Sequence, residues 1–217
     1  MNLAPLKLPR IDGLDRINDS DELALTLLQH GTHAAVSCVN WPQAFPEAPS
    51  VSFAAAHSGT ALYFLFKVSD APMRACNTAD QSPVSMDSCV EIFLQPDVGG
   101  EYWNFEFNCL GALNASHRMT RPAPIRLNHA ELASVRRYPS LTAERVGNDA
   151  RGSWQLAVVI PLRLMGIGEA APGTVLHGNI YACASAAEPP YYLSLLPINT
   201  PAPDYHRPEF FGTIILL

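Results

Sequence analysis

Two neighbouring stretches decide how this chain folds: "MDSCVEIFLQP" at 86–96 and "EYWNFEFN" at 101–108. Read with a period of two, the second sends Trp103, Phe105 and Phe107 one way and Tyr102, Asn104, Glu106 and Asn108 the other. The first sends Val90, Ile92 and Leu94 to one side, and Cys89, Glu91 and Phe93 to the other. Between them "PDVGGE" supplies two glycines and a proline, a strong signal for a hairpin. One side of this hairpin is a core face. The other carries carboxylates, amides and a tyrosine, which is unusual for a merely solvated sheet.

Working outward, the same alternation recurs. "HAAVSCV" (33–39), "VSFAAAH" (51–57), "ALYFLFKVS" (61–69), "GSWQLAVVIP" (152–161), "LHGNIYACASA" (176–186) and "EFFGTIILL" (209–217) all read as strands. Nineteen prolines spread along the chain argue for short elements joined by turns. One amphipathic helix is expected near the start: Asp19, Ser20 and Asp21 offer caps, Leu23, Leu27 and Leu28 form its apolar side, and Gly31 ends it. "NHAELASVR" (128–136) reads as a second short helix behind an Asn cap. Eight or so strands without alternating helices predict an all-β fold, an antiparallel two-sheet β-sandwich of jelly-roll or immunoglobulin-like type. We read 1–217 as one domain, with 1–32 as an N-terminal helical extension.

Composition narrows the function. The chain is 48% hydrophobic and 16% charged, enough to bury a large core. Its formal net charge is -6 and it has no basic run, so nucleic acid is not the expected partner. No apolar stretch reaches the roughly 18 residues of a membrane-spanning helix. The N-terminus lacks the apolar segment of a signal peptide, which suits either a cytoplasmic protein or an already mature chain. Five cysteines, at 38, 76, 89, 109 and 183, show no CxxC spacing, so structural zinc is not expected and most read as buried thiols. Oligomeric state is not legible.

If 89–95 and 102–110 pair, Glu91 and Glu106 share a face and repel unless a cation or ligand lies between them. Lys67, Arg74 or a metal is the expected source of that charge. Carboxylate, amide and tyrosine side by side are what a polyhydroxylated ligand needs, because sugar hydroxyls donate and accept in pairs while an aromatic ring covers their C–H face. No nucleophile–base arrangement or phosphate-binding loop is present to suggest an enzyme. The glutamate pair resembles a glycosidase only in that two carboxylates about 5 to 9 Å apart would suit one. His57 and His206 read as structural, and Asp204, His206 and Glu209 match no metal cage.

"DSCVEIFL" with "YWNFEFNCLG", then "WQLAVVIP" (154–161) and "PDYHRPEFFGTIIL" (203–216), resemble the family 9 carbohydrate-binding modules and, more widely, the DOMON-like β-sandwiches. The resemblance runs from about Trp41 to the C-terminus. It implies a non-catalytic sandwich that binds glycan ends on a polar concave face, often with structural calcium, for which Asp70 and Asp87 are the residues to inspect. It makes Glu91 an acidic sugar contact and Asn108 a polar one. Glu106 stands where the family has a basic contact, Ser85 where it has a clamping tryptophan, and Tyr191 or Tyr192 substitutes for the second clamp.

The expected ligand-binding set is therefore Lys67, Arg74, Glu91, Asn104, Glu106, Asn108, Tyr191 and Tyr192, with an oligosaccharide or glycan end as partner; no cofactor is called for, and structural calcium is the one the resemblance leaves open. Two other classes stay open: an interaction domain whose glutamates are tied up by Lys67 and Arg74 with no open pocket, and a weak glycan-processing enzyme. A DOMON-like haem binder would need an axial Met or His pair.

Overall fold

The alternation in 86–108 becomes the centre of a two-sheet sandwich. The computed structural model describes residues 4–146 and 149–217. In chain order the strands are β1 (Leu6–Leu8), β2 (Thr32–Ala35), β3 (Cys38–Val39), β4 (Ser50–His57), β5 (Ala61–Pro72), β6 (Cys89–Gln95) and β7 (Tyr102–Asn108). They continue as β8 (Leu113–Arg118), β9 (Ile125–Arg126), β10 (Arg136–Val146), β11 (Asp149–Pro161), β12 (Thr174–Ala184), β13 (Tyr191–Ser194) and β14 (Gly212–Leu216). One sheet runs β1-β14-β12-β6-β7-β8-β9, with β13 on β12 and β3 on β13; the other runs β10-β11-β5-β4-β2. All pairings are antiparallel except β1 with β14. Among the described residues no helix is long and apolar enough to cross a membrane.

The main core lies between the sheets. Val90, Ile92, Leu94, Phe105 and Phe107 meet Phe53, Phe64, Phe66, Val68 and Leu156 there, with Trp154 beside them. These are the inward positions that the period of two predicts. At the hairpin tip Gly99 takes φ +79, a left-handed conformation that favours glycine.

A second apolar layer covers the outside of the five-stranded sheet. α1 (Ser20–His30) is capped by Asp19, whose carboxylate accepts from the backbone N–H groups of Asp21 and Glu22 at 3.0 and 2.8 Å. It lays Leu23 and Leu27 on Ala54, Ala56, Tyr63 and Leu65. α2 (His129–Ser134) begins at Asn128 with a complete capping box.

Two expectations need correction. "HAAVSCV" is not one strand: β2 pairs in one sheet and β3 in the other, so the chain crosses between layers at 36–37. Residues 1–32 are not simply a helical extension, since β1 joins the nine-stranded sheet. Sequence reading also missed β8, β10 and β13. β10 is an edge strand, which is where a strand tolerates Pro139.

Phe105 is fully buried at the middle of the main core. Phe105→Ala should lower the unfolding free energy by about 3–5 kcal/mol, read as a shifted midpoint in urea denaturation. A change below about 1 kcal/mol would show that this cluster is not the core that holds the sheets together.

Candidate functional site

The outer face of the nine-stranded sheet is polar because the hairpin's second set of side chains points there. Glu91 pairs in register with Glu106 on one side and Tyr181 on the other; Glu106 in turn faces Asn114 on β8. One row further along lie Asn104 and Ser116, and beyond them Tyr102 and Arg118. In the other direction lie Tyr192, Cys183, Cys89 and Asn108.

A loop following β13 roofs this face. Trp41 Nε1 donates to the Thr200 carbonyl at 2.7 Å, and Asn40 accepts from Ile198 N at 2.8 Å. The Tyr205 hydroxyl bonds the carbonyls of Ala182 and Leu193 at 3.2 and 3.1 Å, while its ring stacks on Tyr181 with centroids 4.1 Å apart. Asp204 pairs with Arg121 at 3.4 Å.

Between sheet and roof is a pocket of about 180 Å³. Glu91, Glu106 and Cys183 are on the sheet side; Asp204, Tyr205 and His206 come from the roof; Ser85, Arg121, Ser185 and Tyr192 also line it. Tyr192 is braced edge-on by Phe45, with centroids 4.7 Å apart, and by Trp41 at 6.3 Å.

The two glutamates have different surroundings. Glu106 accepts from the side-chain amides of Asn104 and Asn114, both at 2.9 Å. The Asn104 oxygen accepts in turn from Ser116 and Arg118, each at 2.8 Å. Burial raises the Glu106 carboxyl, while the Asn114 bond, the Arg118 charge and the Asn104 bond pull it back. Glu91 has no such support. Among the described residues its carboxyl accepts one side-chain hydrogen bond, from the Cys183 thiol at 3.3 Å. Burial pushes its carboxyl well above the usual carboxylate range, and Cys183 and Glu106 push the same way. His206 is held neutral: burial, then Arg118 and Arg121, lower its imidazole to about 3. Its Nδ1 shares a hydrogen bond with the Tyr102 hydroxyl at 3.1 Å.

Of the eight expected residues, Glu91, Glu106 and Tyr192 meet in this pocket, and Asn104 lies beneath it, orienting Glu106. The other four sit elsewhere. Lys67 belongs to β5 in the opposite sheet, opposite Ser52 and Gln155, because its stretch packs against the hairpin through the core and does not pair beside it. Arg74 forms an ion pair with the fully buried Asp87. Asn108 bonds Asp87, the Asn77 carbonyl and the N–H groups of Leu110 and Ala112, so its amide holds a turn. Tyr191 points into the main core.

Neither cation therefore ties up the glutamates, and the pocket between sheet and roof is open to them. Sequence reasoning missed Asn114, Ser116, Arg118, Arg121, Cys183 and Ser185. Asp87 accepts from Arg74, Asn77 N and Asn108, and Asp70 from Arg151 at 2.8 Å. Carboxylates already facing guanidinium groups do not form a calcium cage, and the expected calcium does not fit there. Asp204 and Glu209 are likewise engaged, by Arg121 and Arg207.

The comparisons with known proteins agree with this architecture. The model of carbohydrate-binding family 9 matches residues 22–216, and the chain belongs to that family of non-catalytic modules. Among solved structures, it is similar to a candidate carbohydrate-binding protein from Bacteroides uniformis ATCC 8492, at 29% identity and TM-score 0.86 over 97% of this chain and 98% of that one. A family 9 module from Caldicellulosiruptor kristjanssonii in complex with glucose shares the fold at 13% identity and TM-score 0.56, over 97% and 95% of the two chains. The same is true of a cellotriose complex from that organism, at 12% identity and TM-score 0.56 over 98% and 93%. No curated protein matches the chain.

His206 gives a pH signature. The unfolded chain takes up this proton near 6.5 and the folded chain only near 3. Across that window the unfolded state holds more protons, so the contribution of His206 is complete above 6.5 and is lost as the pH falls. Glu91 and Glu106 act in the opposite sense, since raised carboxyls favour the folded state on acidification. His206→Gln should therefore lose less stability than the wild type between pH 6.5 and about 3, measured as urea midpoints along that range. Parallel curves would mean that the imidazole is solvated.

Proposed function

We propose that this chain is a non-catalytic module that binds one end of a carbohydrate in the pocket between the outer sheet face and the 203–206 roof. The observation that carries the reading is a polar pocket at the centre of that face, in a member of carbohydrate-binding family 9. Its volume equals roughly six waters' share of liquid, which suits a terminal sugar ring better than a run of them.

In this reading Glu106, fixed by two amides, accepts from sugar hydroxyls. Glu91, held protonated by burial, both donates and accepts. Asp204 and Arg121 add a charged pair at the mouth, and Tyr192 covers the C–H face of the ring. With Ser85 at the wall where the family carries a tryptophan, one aromatic side is left. Hydrogen bonding then supplies most of the selectivity. The glucose and cellotriose complexes of the Caldicellulosiruptor kristjanssonii module make those sugars the first to test. We take the binding module to be the whole described chain.

Calorimetric titration with glucose, cellotriose and a panel of other sugars, with and without calcium, should give saturable binding with at least one sugar. Glu91→Ala should weaken it at least about tenfold, the loss of one hydrogen bond to a buried group. Tyr192→Ala should also weaken it, and calcium should make no difference. No heat across the panel from a protein that melts cooperatively would turn the reading toward an interaction domain.

A further inference from the structure

The register of β6 with β12 creates a second arrangement that the sugar site does not need. Cys89 and Glu91 are two residues apart on β6 and so point the same way, and Cys183 is the direct cross-strand partner of Cys89. The two thiol sulfurs and a Glu91 carboxylate oxygen all lie within 4.8 Å of one another, and all three residues are buried. The sequence gives no hint of this, since 94 positions separate the two cysteines (183 − 89) and no ligand-spacing motif is present.

We propose that Cys89, Cys183 and Glu91 form a binding site for a borderline-soft divalent cation of the zinc class at the floor of the pocket. Two thiolates and one carboxylate are donors of the softness that selects zinc and cadmium over calcium or magnesium. The spacing fits. With metal–sulfur and metal–oxygen bonds of about 2.3 and 2.0 Å, tetrahedral corners lie roughly 3.5 Å apart for sulfur and oxygen and roughly 3.8 Å apart for two sulfurs. Cys183 Sγ already stands 3.3 Å from Glu91 Oε1.

A second observation points the same way. Glu91 is a buried carboxyl that forms no ion pair among the described residues, in contrast to Asp87 with Arg74. Binding would release to solvent the two thiol protons and the Glu91 carboxyl proton, three in all, and leave the site with a net charge of −1. Cys183 and Glu91 line the pocket while Cys89 lies behind them, fully buried, so the fourth corner faces the pocket and is filled by water. The site shares Glu91 with the proposed sugar pocket, but its test stands apart from that reading, because the metal is detected with no sugar present.

The test uses the full chain under a thiol-free reductant in a Cys38→Ser, Cys76→Ser background, which removes the two cysteines that are not buried. Cadmium is titrated while the ultraviolet thiolate-to-metal charge-transfer band is recorded, and cobalt while its visible bands report coordination geometry. We expect one equivalent of either metal, a band with the intensity of two thiolates, and tetrahedral cobalt spectra. Cys183→Ser should weaken binding by more than the roughly tenfold that loss of an outer partner already causes. Glu91→Gln should weaken it while keeping the thiolate band, which keeps the test decisive if the cysteine variant unfolds. Cys109→Ser should change nothing, since Cys109 faces the main core. Absence of the band in the folded protein, a band of undiminished intensity and affinity in Cys183→Ser, or one that disappears with Cys109→Ser would each overturn the site.

Discussion

Two carboxyl groups sit directly opposite each other at the middle of a sheet, both almost wholly removed from water. Such a pair cannot be doubly ionised without a nearby cation, since desolvation and mutual repulsion both oppose it. The fold handles each member differently. Glu106 is enclosed by amide donors from β7 and β8, of which Asn104 is positioned in turn by Ser116 and Arg118. Among the described residues Glu91 has only the Cys183 thiol, and burial pushes its carboxyl well above the usual carboxylate range. The polar floor thus depends on the hairpin register, because a slip of one residue would put both carboxyls into the apolar layer between the sheets.

That same register explains why the hairpin was so legible. Strict alternation of aromatic or aliphatic with polar residues has one low-energy reading, and Phe105, Phe107, Val90 and Ile92 took it. The capped helices were equally clear, since Asp19 and Asn128 satisfy specific backbone N–H groups that adjacent residues define. Lys67 shows where such reading stops. Period two sets Lys67 on the face opposite the core residues Leu62, Phe64, Phe66 and Val68, but it says nothing about which sheet a strand joins. β5 pairs with β4 and β11, and its outer face looks away from the hairpin.

Half of the pocket was illegible for related reasons. "LNASHR" in β8 has no β-branched residue and only one large apolar side chain, so Asn114, Ser116 and Arg118 gave no strand signal. The roof has no period at all. Its place is fixed by single long-range bonds such as those of Trp41 with Thr200 and of Tyr205 with Ala182 and Leu193. Two adjacent tyrosines illustrate the limit: Tyr191 and Tyr192 differ only in parity, and parity sends one into the core and the other to the pocket.

If the pocket is the sugar site we propose, having a single aromatic wall sets the kind of recognition it would perform. Two tryptophans around a sugar contribute mainly by stacking and by removing apolar area from water, which tolerates changes at individual hydroxyls. Here Ser85 takes one wall and Tyr192, braced edge-on by Phe45 and Trp41, supplies the aromatic side. What remains is a dense set of buried donors and acceptors, and leaving any one of them unpaired costs about 1–3 kcal/mol. A site of that kind discriminates by the stereochemistry of single hydroxyls more sharply than a stacking clamp does. In the site we propose, Glu91 would stand at the centre of that discrimination, because a protonated carboxyl donates one hydrogen bond and accepts others, whereas a carboxylate only accepts.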